Sequence, residues 1–542
     1  MKEKKWNHKI YLPIFFALVF VAGLFLGIKF IPVISGNSSG KALSFGIGKY
    51  DKLNDVLNYI QDSYVDTMSR KKLTEEAISS LLDKLDPHSV YISAEEFNDA
   101  NDPLLGSFDG IGVEFRIQRD SITVMNAVPG GPSEGIGVLA GDRIVKVDGK
   151  NVAGIKINNT DVMKKLKGKR GTKVKISVFR RGIKKLIDFN ITRGVIPTYS
   201  LDIAYMLTKN IGYIKLSKFS ATTHEEFVNA LQKLKNKGMT KLVLDLRDNG
   251  GGYLQAAIDV ADEFLEENKL IVYTKGAHRS KTTVTATSEG NFEKGQLVIL
   301  INEFTASASE IVSGAIQDND RGVIIGRRSF GKGLVQEQLK LYDGSAIRLT
   351  VARYYTPTGR CIQRSYKEGT EEYYSEFYEH LLDTTSGNAD TTKIPDSLKF
   401  KTPKGKIVYG GGGIKPDVFI PVGKDEGSHY FISIFNKGLI LQYTFDYTDK
   451  NRATIRNTYK NAQTYIKGFS ITDATFADFM AYAEKNGIKK DDKNIAALSS
   501  YIKTYLKAYI GRNIYSDEGF YPVLKETDYT LQKAIGVLDT LK

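Results

Sequence analysis

Between residues 50 and 98 the apolar positions recur at helical spacing: Leu53, Val56, Leu57, Ile60 and Tyr64, then Leu73, Ala77, Leu81 and Leu85. An apolar stripe every three to four residues predicts two amphipathic helices. Pro87, which lacks an N–H, is expected to stop the second. From about residue 106 to 193 the period shortens to two. Residues 121–125, 143–147 and 173–179 read as strands, with turns at Asp148-Gly149 and Arg181-Gly182, and predict a compact β-rich domain. A third region, about 195–422, alternates the two patterns. Residues 241–246 form an apolar run suited to a buried strand, and Leu254, Ala257, Ile258, Ala261, Phe264 and Leu265 follow at helical period. The unit repeats with a strand over 296–301 and a helix marked by Ala308, Ile311, Val312, Ala315 and Ile316. Such repetition implies an α/β core with reactive groups at the carboxyl ends of its strands. Asp343-Gly344 turns a further pair of strands into a hairpin. After Lys424 the stripes are helical again: Phe476, Phe479, Met480 and Ala483, then Ile495, Leu498, Ile502, Tyr505, Leu506 and Tyr509.

The N-terminus adds a location. Lys2, Lys4, Lys5 and Lys9 precede an uncharged run over residues 10–28, long enough to cross a bilayer core. The lysines favour a cytoplasmic N-terminus. The run is long for a signal peptide, and Ser35 to Gly40 read as a linker, so an uncleaved single-pass anchor is expected, with the rest outside the cytoplasm; secretion after signal cleavage is the competing reading. With 542 residues the chain exceeds one hydrophobic core. It divides into a stub, anchor and linker (1–40), a helical region (41–105), the β-rich domain (106–194), the α/β core (195–424) and a helical extension (425–542). The net charge of +14 comes from scattered lysines, which reads as solubility, and no nucleic-acid partner is expected. Cys361 stands alone, which excludes an intramolecular disulfide and a CxxC metal site. Neither a metal nor another cofactor is expected.

The candidate chemistry begins at Thr305-Ala306-Ser307-Ala308-Ser309-Glu310-Ile311, where a buried strand breaks into small residues and opens a helix. Ser307 falls at the helix start, where amides and helix dipole favour an anion forming beside its hydroxyl. A serine at that position is, taken alone, a helix cap. A nucleophilic serine needs a base, and of six histidines only His88 and His224 stand in suitable stretches. Lysine is the other solution, provided burial depresses its pKa. Lys332 lies in Ser329-Phe330-Gly331-Lys332-Gly333, and Gln336 is placed to accept from its amine without adding charge. Residues 326–333 also match the GxxxxGK spacing of a phosphate loop, but Gly333 stands where Ser or Thr would hold magnesium, and a strand pattern follows. Asp245-Leu246-Arg247-Asp248-Asn249-Gly250-Gly251-Gly252 ends a buried strand in glycines that expose backbone amides.

Together these residues resemble the carboxyl-terminal processing, or tail-specific, serine protease family. The shared segments are LDPHSVYIS from Leu85, GIGVEF from Gly110, GDRIVKVDG from Gly141, DLRDNGGG, TASASEI, GRRSFGKGLVQ, YYTPTGR from Tyr354 and GGIKPDV from Gly412. The resemblance implies a ClpP/crotonase-like α/β protease core with an inserted PDZ domain. It places the nucleophile on Ser307, the general base on Lys332, the residue orienting that base on Gln336, and oxyanion donors on Ala308 and Gly251. Gly110, Ile111, Gly112 and Val113 become the loop that holds a substrate carboxylate while the tail adds a β-strand. The expected function is hydrolysis near the C-termini of extracytoplasmic proteins, with apolar tails as partners and an oligomer or adaptor allowed for. The alternative is a catalytically silent PDZ adaptor. Arg327-Arg328 departs from the family pattern and is expected to alter charge near the base or the substrate groove.

Overall fold

The computed structural model describes residues 51–385 and 395–540. The chain divides at Thr74 into two units. In the first, Asp51 opens the helix Lys52–Ser63 by accepting from the Asn54 amide at 3.1 Å. The anchor expected over residues 10–28 lies outside the described residues. Among the described residues no helix is long and apolar enough to cross a membrane.

The second unit is built on a six-stranded sheet: β1 (Leu201–Met206), β2 (Ile211–Leu216), β3 (Lys241–Asp245), β4 (Gln296–Ile301), β5 (Val323–Gly326) and β6 (Val418–Phe419), adjacent in that order. β1 pairs antiparallel to β2, and the remaining pairs are parallel. On one face Leu242, Leu244, Leu297 and Ile299 pack with Phe227, Ile258, Ile311 and Val312 of helices α1 (Thr223–Asn236), α2 (Leu254–Asp262) and α3 (Ala308–Asp318). On the other, Val243, Val298, Leu300 and Ile325 meet Leu531, Ala534 and Leu538 of α4 (Tyr529–Thr540). Cover on both faces is the reason β3 and β4 are unbroken apolar runs rather than alternating ones. The expected hairpin is present as Leu334–Lys340 against Ala346–Tyr355, and Ala346–Tyr355 also pairs with Leu270–Lys275 and Val90–Ile92.

The β-rich domain is an antiparallel sheet in the order Val113–Gln118, Ser121–Ala127, Arg143–Val147, Lys173–Phe179, Ile187–Thr192, and its core of Ile122, Val124, Ile144, Ile176 and Val178 includes Val162 and Leu166 from the helix Asn159–Leu166. Ser107–Gly110 and Gly194–Pro197 pair at its base, as the stem of an inserted domain requires. The extension has its own aromatic-rich core, including Phe431, Tyr465, Phe479 and Phe520. It meets the β-rich domain through Arg119 with Asp446 and Arg181 with Asp449.

Two sequence readings change. The helix Arg70–Asp83 ends before Pro87. Asp86 makes the turn instead, its carboxylate accepting from the amides of His88 and Ser89 at 2.8 Å each. A short helix, Phe97–Leu105, follows where no periodicity announced one, and it carries Pro103 in its interior.

The YYTPTGR segment is structural at its end. Arg360 and Asp318 are both 0% exposed and paired at 2.6 Å, and Arg360 also donates to the Tyr409 carbonyl and Gln317 Oε1, each at 2.7 Å. Leucine at position 360 would strand the Asp318 charge, and denaturant unfolding is expected to register a loss of about 3–5 kcal/mol.

Candidate active site

β4 ends at Ile301, and the turn to α3 is held by Thr305, whose hydroxyl donates to the Leu246 carbonyl and accepts from the Asn302 amide, both at 2.9 Å. Ser307 follows with φ 55° and ψ −114°. A non-glycine residue pays for a positive φ in strain, and such strain persists where the surroundings impose it. Ser307 does stand at the N-cap of α3, but with a positive φ in place of the extended backbone usual at a cap. What imposes the turn is Glu310, three residues on and fully buried. Its Oε2 accepts from the amides of Ser307 (2.8 Å) and Lys332 (2.9 Å), and its Oε1 from Ser329 Oγ (2.5 Å) and the Gly331 amide (2.8 Å). Burial pushes the Glu310 carboxyl up, against these hydrogen bonds, which pull it down. Tyr354 Oη, from the hairpin, stands 3.1 Å from the Ser307 carbonyl and 2.8 Å from that of Lys332. Two side chains therefore tie the backbones of residues 307 and 332 together.

Ser307, Ala308, Lys332, Gln336 and Gly250 to Gly252 line one cleft of about 940 Å³, with Leu254, Ile311 and Leu334 as apolar wall. Lys332 Nζ donates to Gln336 Oε1 at 3.0 Å. Gln336 Nε2 donates to the His88 carbonyl at 2.6 Å, which fixes the amide with its oxygen toward the lysine. Among the described residues no carboxylate lies within ion-pair reach of Nζ. Burial, and after it the Arg348 charge, hold the Lys332 amine below the ordinary lysine range. This is the arrangement a lysine base needs.

The glycine loop meets the Ser307 turn closely. Gly251 has φ 96°, and a Cβ there would stand 2.9 Å from Ser307 Cβ. Its amide, however, donates to Asn249 Oδ1 at 2.9 Å, which departs from its expected place as a free oxyanion donor. The Ala308 amide has no acceptor among the described residues. In the β-rich domain Gly112 has φ 75°, and no acceptor meets the amides of Ile111 and Gly112 among the described residues. None of Gly110 to Val113 lines the cleft.

Arg327-Arg328 also departs from expectation. Arg327 donates to Glu303 Oε1 at 2.7 Å and Arg328 to the Gly412 carbonyl, and neither lines the cleft. Of the two histidines, His88 bonds Tyr373 at 3.1 Å and is pushed down to about 4 by burial and then by Lys332. His224 sits on the cleft rim, raised by its 2.8 Å bond to Glu263. Sequence reasoning missed Glu310 and Tyr354. Glu310 was visible in outline: Ser307-Ala308-Ser309-Glu310 has the S-x-x-E spacing of a capping box. Tyr354 arrives from another sheet and left no local signal.

Family comparisons agree with this architecture. Residues 210–372 match the model of peptidase family S41, residues 110–191 that of the PDZ domain, residues 33–96 that of the activating protease CtpB N-terminal domain, and residues 430–517 a family of unknown function. An S41 core bearing an inserted PDZ domain defines a serine peptidase. The chain is 36% identical over 351 residues to the carboxy-terminal-processing protease of Bartonella bacilliformis, covering 64% of this chain and 80% of that protein. It is 35% identical over 335 residues to the carboxy-terminal processing protease CtpA of Bacillus subtilis, covering 61% and 71%. The chain belongs to the carboxyl-terminal processing serine protease family, peptidase family S41.

Proposed function

We propose that the chain cleaves extracytoplasmic proteins near their C-termini through an acyl-enzyme on Ser307, with Lys332 as general base and Gln336 orienting it. The observation that carries this reading is the Lys332 amine, half-buried in the same cleft as Ser307, bonded to a neutral amide oxygen at 3.0 Å and held below its ordinary pKa. A neutral amine takes the serine proton as the hydroxyl attacks the scissile carbonyl, and returns it to the leaving amine; water then hydrolyses the ester by the same base. The Ala308 amide at the start of α3 faces the oxyanion that forms. Gly251 contributes by its missing side chain, and its amide becomes a second donor once Asn249 releases it.

The amides of Gly110 to Val113 capture a tail carboxylate, and the free edge of Val113–Gln118 accepts the tail as an added strand. The uncharged run over residues 10–28 anchors the chain in the membrane, with the catalytic part outside the cytoplasm. A serine-directed acylating probe is expected to label the wild-type protein and to fail on Ser307→Ala. A protein that binds tailed peptides but never labels would be the silent adaptor instead.

A further inference from the structure

We propose that Asp528, in the C-terminal extension, is a positioning residue for the peptidase reaction, acting through Arg247 on the glycine loop and the nucleophile turn. The proposal rests on Ser307 being the nucleophile.

Arg247 lies between β3 and the glycines. Its Nε donates to Asp245 Oδ1 at 3.0 Å and its Nη2 to Asp245 Oδ2 at 2.6 Å. The rest of the guanidinium is taken by Asp528, with Nη1 to Oδ1 at 3.0 Å and Nη2 to Oδ2 at 2.6 Å. Lys215 completes the set, donating to the Arg247 carbonyl at 2.9 Å and standing 3.7 Å from Asp245 Oδ1. Tyr213 Oη donates to Asp245 Oδ2 at 2.7 Å. The side chains of Asp245, Lys215, Arg247 and Asp528 are 0%, 10%, 18% and 22% exposed, so water screens the group little. Glu426 of the extension lines the same cavity, within electrostatic reach of Arg247, but Asp528 is the carboxylate of the extension that bonds the guanidinium directly. Without it the Nη1 side of the buried guanidinium loses its hydrogen-bonded partner.

The path onward is contiguous. Immediately after Arg247, the Asp248 amide donates to Asn302 Oδ1 at 3.0 Å, and Asn302 Nδ2 returns a bond to Asp248 Oδ1 at 2.8 Å. The Asn249 carbonyl accepts from the Ala306 amide and from Ser309 Oγ, each at 3.0 Å. Asn249 Oδ1 holds the Gly251 amide. The residues on both sides of Ser307 are thus bonded to a loop whose preceding side chain is clamped from the extension. Asp528 is itself rigidly held, since its Oδ1 accepts from the Leu531 amide at 2.9 Å in the first turn of α4. The end of the extension, beyond the segment 430–517 that matches a family of unknown function, thereby becomes part of the apparatus that sets the nucleophile's geometry.

The test uses the full chain, with turnover of a tailed peptide and the rate of Ser307 labelling by a serine-directed phosphonate as readouts. Asp528→Asn is expected to lower kcat and the labelling rate by about tenfold or more with KM unchanged, because small misplacements of reacting groups are that costly. Asp528→Glu, which keeps the carboxylate, should recover part of the loss. Leu538→Ala removes packing from the far end of the same helix and leaves Asp528, Leu531 and Arg247 untouched; it should lower the melting temperature and leave kcat near the wild-type value. Should Asp528→Asn fail to fold, Arg247→Lys is read in its place, since an ammonium cannot engage both carboxylates in parallel. Labelling at the wild-type rate in whichever of these two is read, or an equal loss of kcat in Leu538→Ala, overturns the proposal. A wild-type protein without turnover, or a Ser307→Ala variant with it, would instead sink the dyad reading.

Discussion

Lys332→Met is expected to lose turnover by roughly 10⁴-fold or more, as deletion of one member of a nucleophile–base unit does in other serine hydrolases, and Ser307→Ala to lose as much. The double variant should be little worse than either single one, because the two groups act as one unit. The pH dependence separates a lysine base from a histidine one. With its amine held below the ordinary lysine value, the fraction of neutral Lys332 grows as pH rises, so kcat/KM should climb through that depressed pKa. His88, pushed down to about 4, is neutral far below that range and contributes no such limb. Stability runs in the same direction. Between the folded and unfolded pKa of Lys332 the unfolded chain binds more protons, so the lysine destabilises the fold at neutral pH and does so less as pH rises. Lys332→Met should therefore melt higher than the wild type at pH 7, with the gain shrinking toward pH 10. An inactive variant that is also less stable at pH 7 would contradict a desolvated base.

Glu310→Gln should damage both activity and stability. Each carboxylate oxygen accepts two hydrogen bonds; an amide nitrogen in place of Oε2 meets two backbone donors, and in place of Oε1 it meets one, the Gly331 amide, since the Ser329 hydroxyl can turn to accept. A stranded buried donor costs about 1–3 kcal/mol, so a denaturant midpoint should fall visibly. Catalysis should suffer more than stability alone explains. The same carboxylate fixes the amides of residues 307 and 332, and releasing it lets Ser307 and Lys332 move apart; labelling of Ser307 is expected to slow by about 10²-fold in the fraction that remains folded. Full-rate labelling of folded Glu310→Gln would reduce Glu310 to a packing residue.

How much of this was legible depended on whether a feature is local. The strands over 143–147, 173–179 and 296–301 and the helix beginning at Ala308 were readable because apolar period is a short-range signal that burial then enforces. Ser307, Lys332 and Gln336 were singled out by their chemistry, but their roles as one group rested on the resemblance, since residues from a helix start and a separate hairpin meet only in three dimensions. The Asn249 side chain could not be foreseen to occupy the Gly251 amide, because an amide's freedom depends on a neighbour's rotamer. Nor could the partner of Arg327, which turns away from the cleft to Glu303. The stripe Leu531, Ala534, Leu538 went unread for a different reason: its spacing announces a helix, but nothing in it names the sheet it will cover.

That last contact sets an order of events. As the chain is synthesised, β1 to β6 and the first-face helices are complete long before Tyr529–Thr540 leaves the ribosome, yet Val243, Val298, Leu300 and Ile325 stay wet until it does. The protease core is finished by a helix made well after β6, so a chain terminated before that helix would carry Ser307, Lys332 and Gln336 on a sheet with one open apolar face.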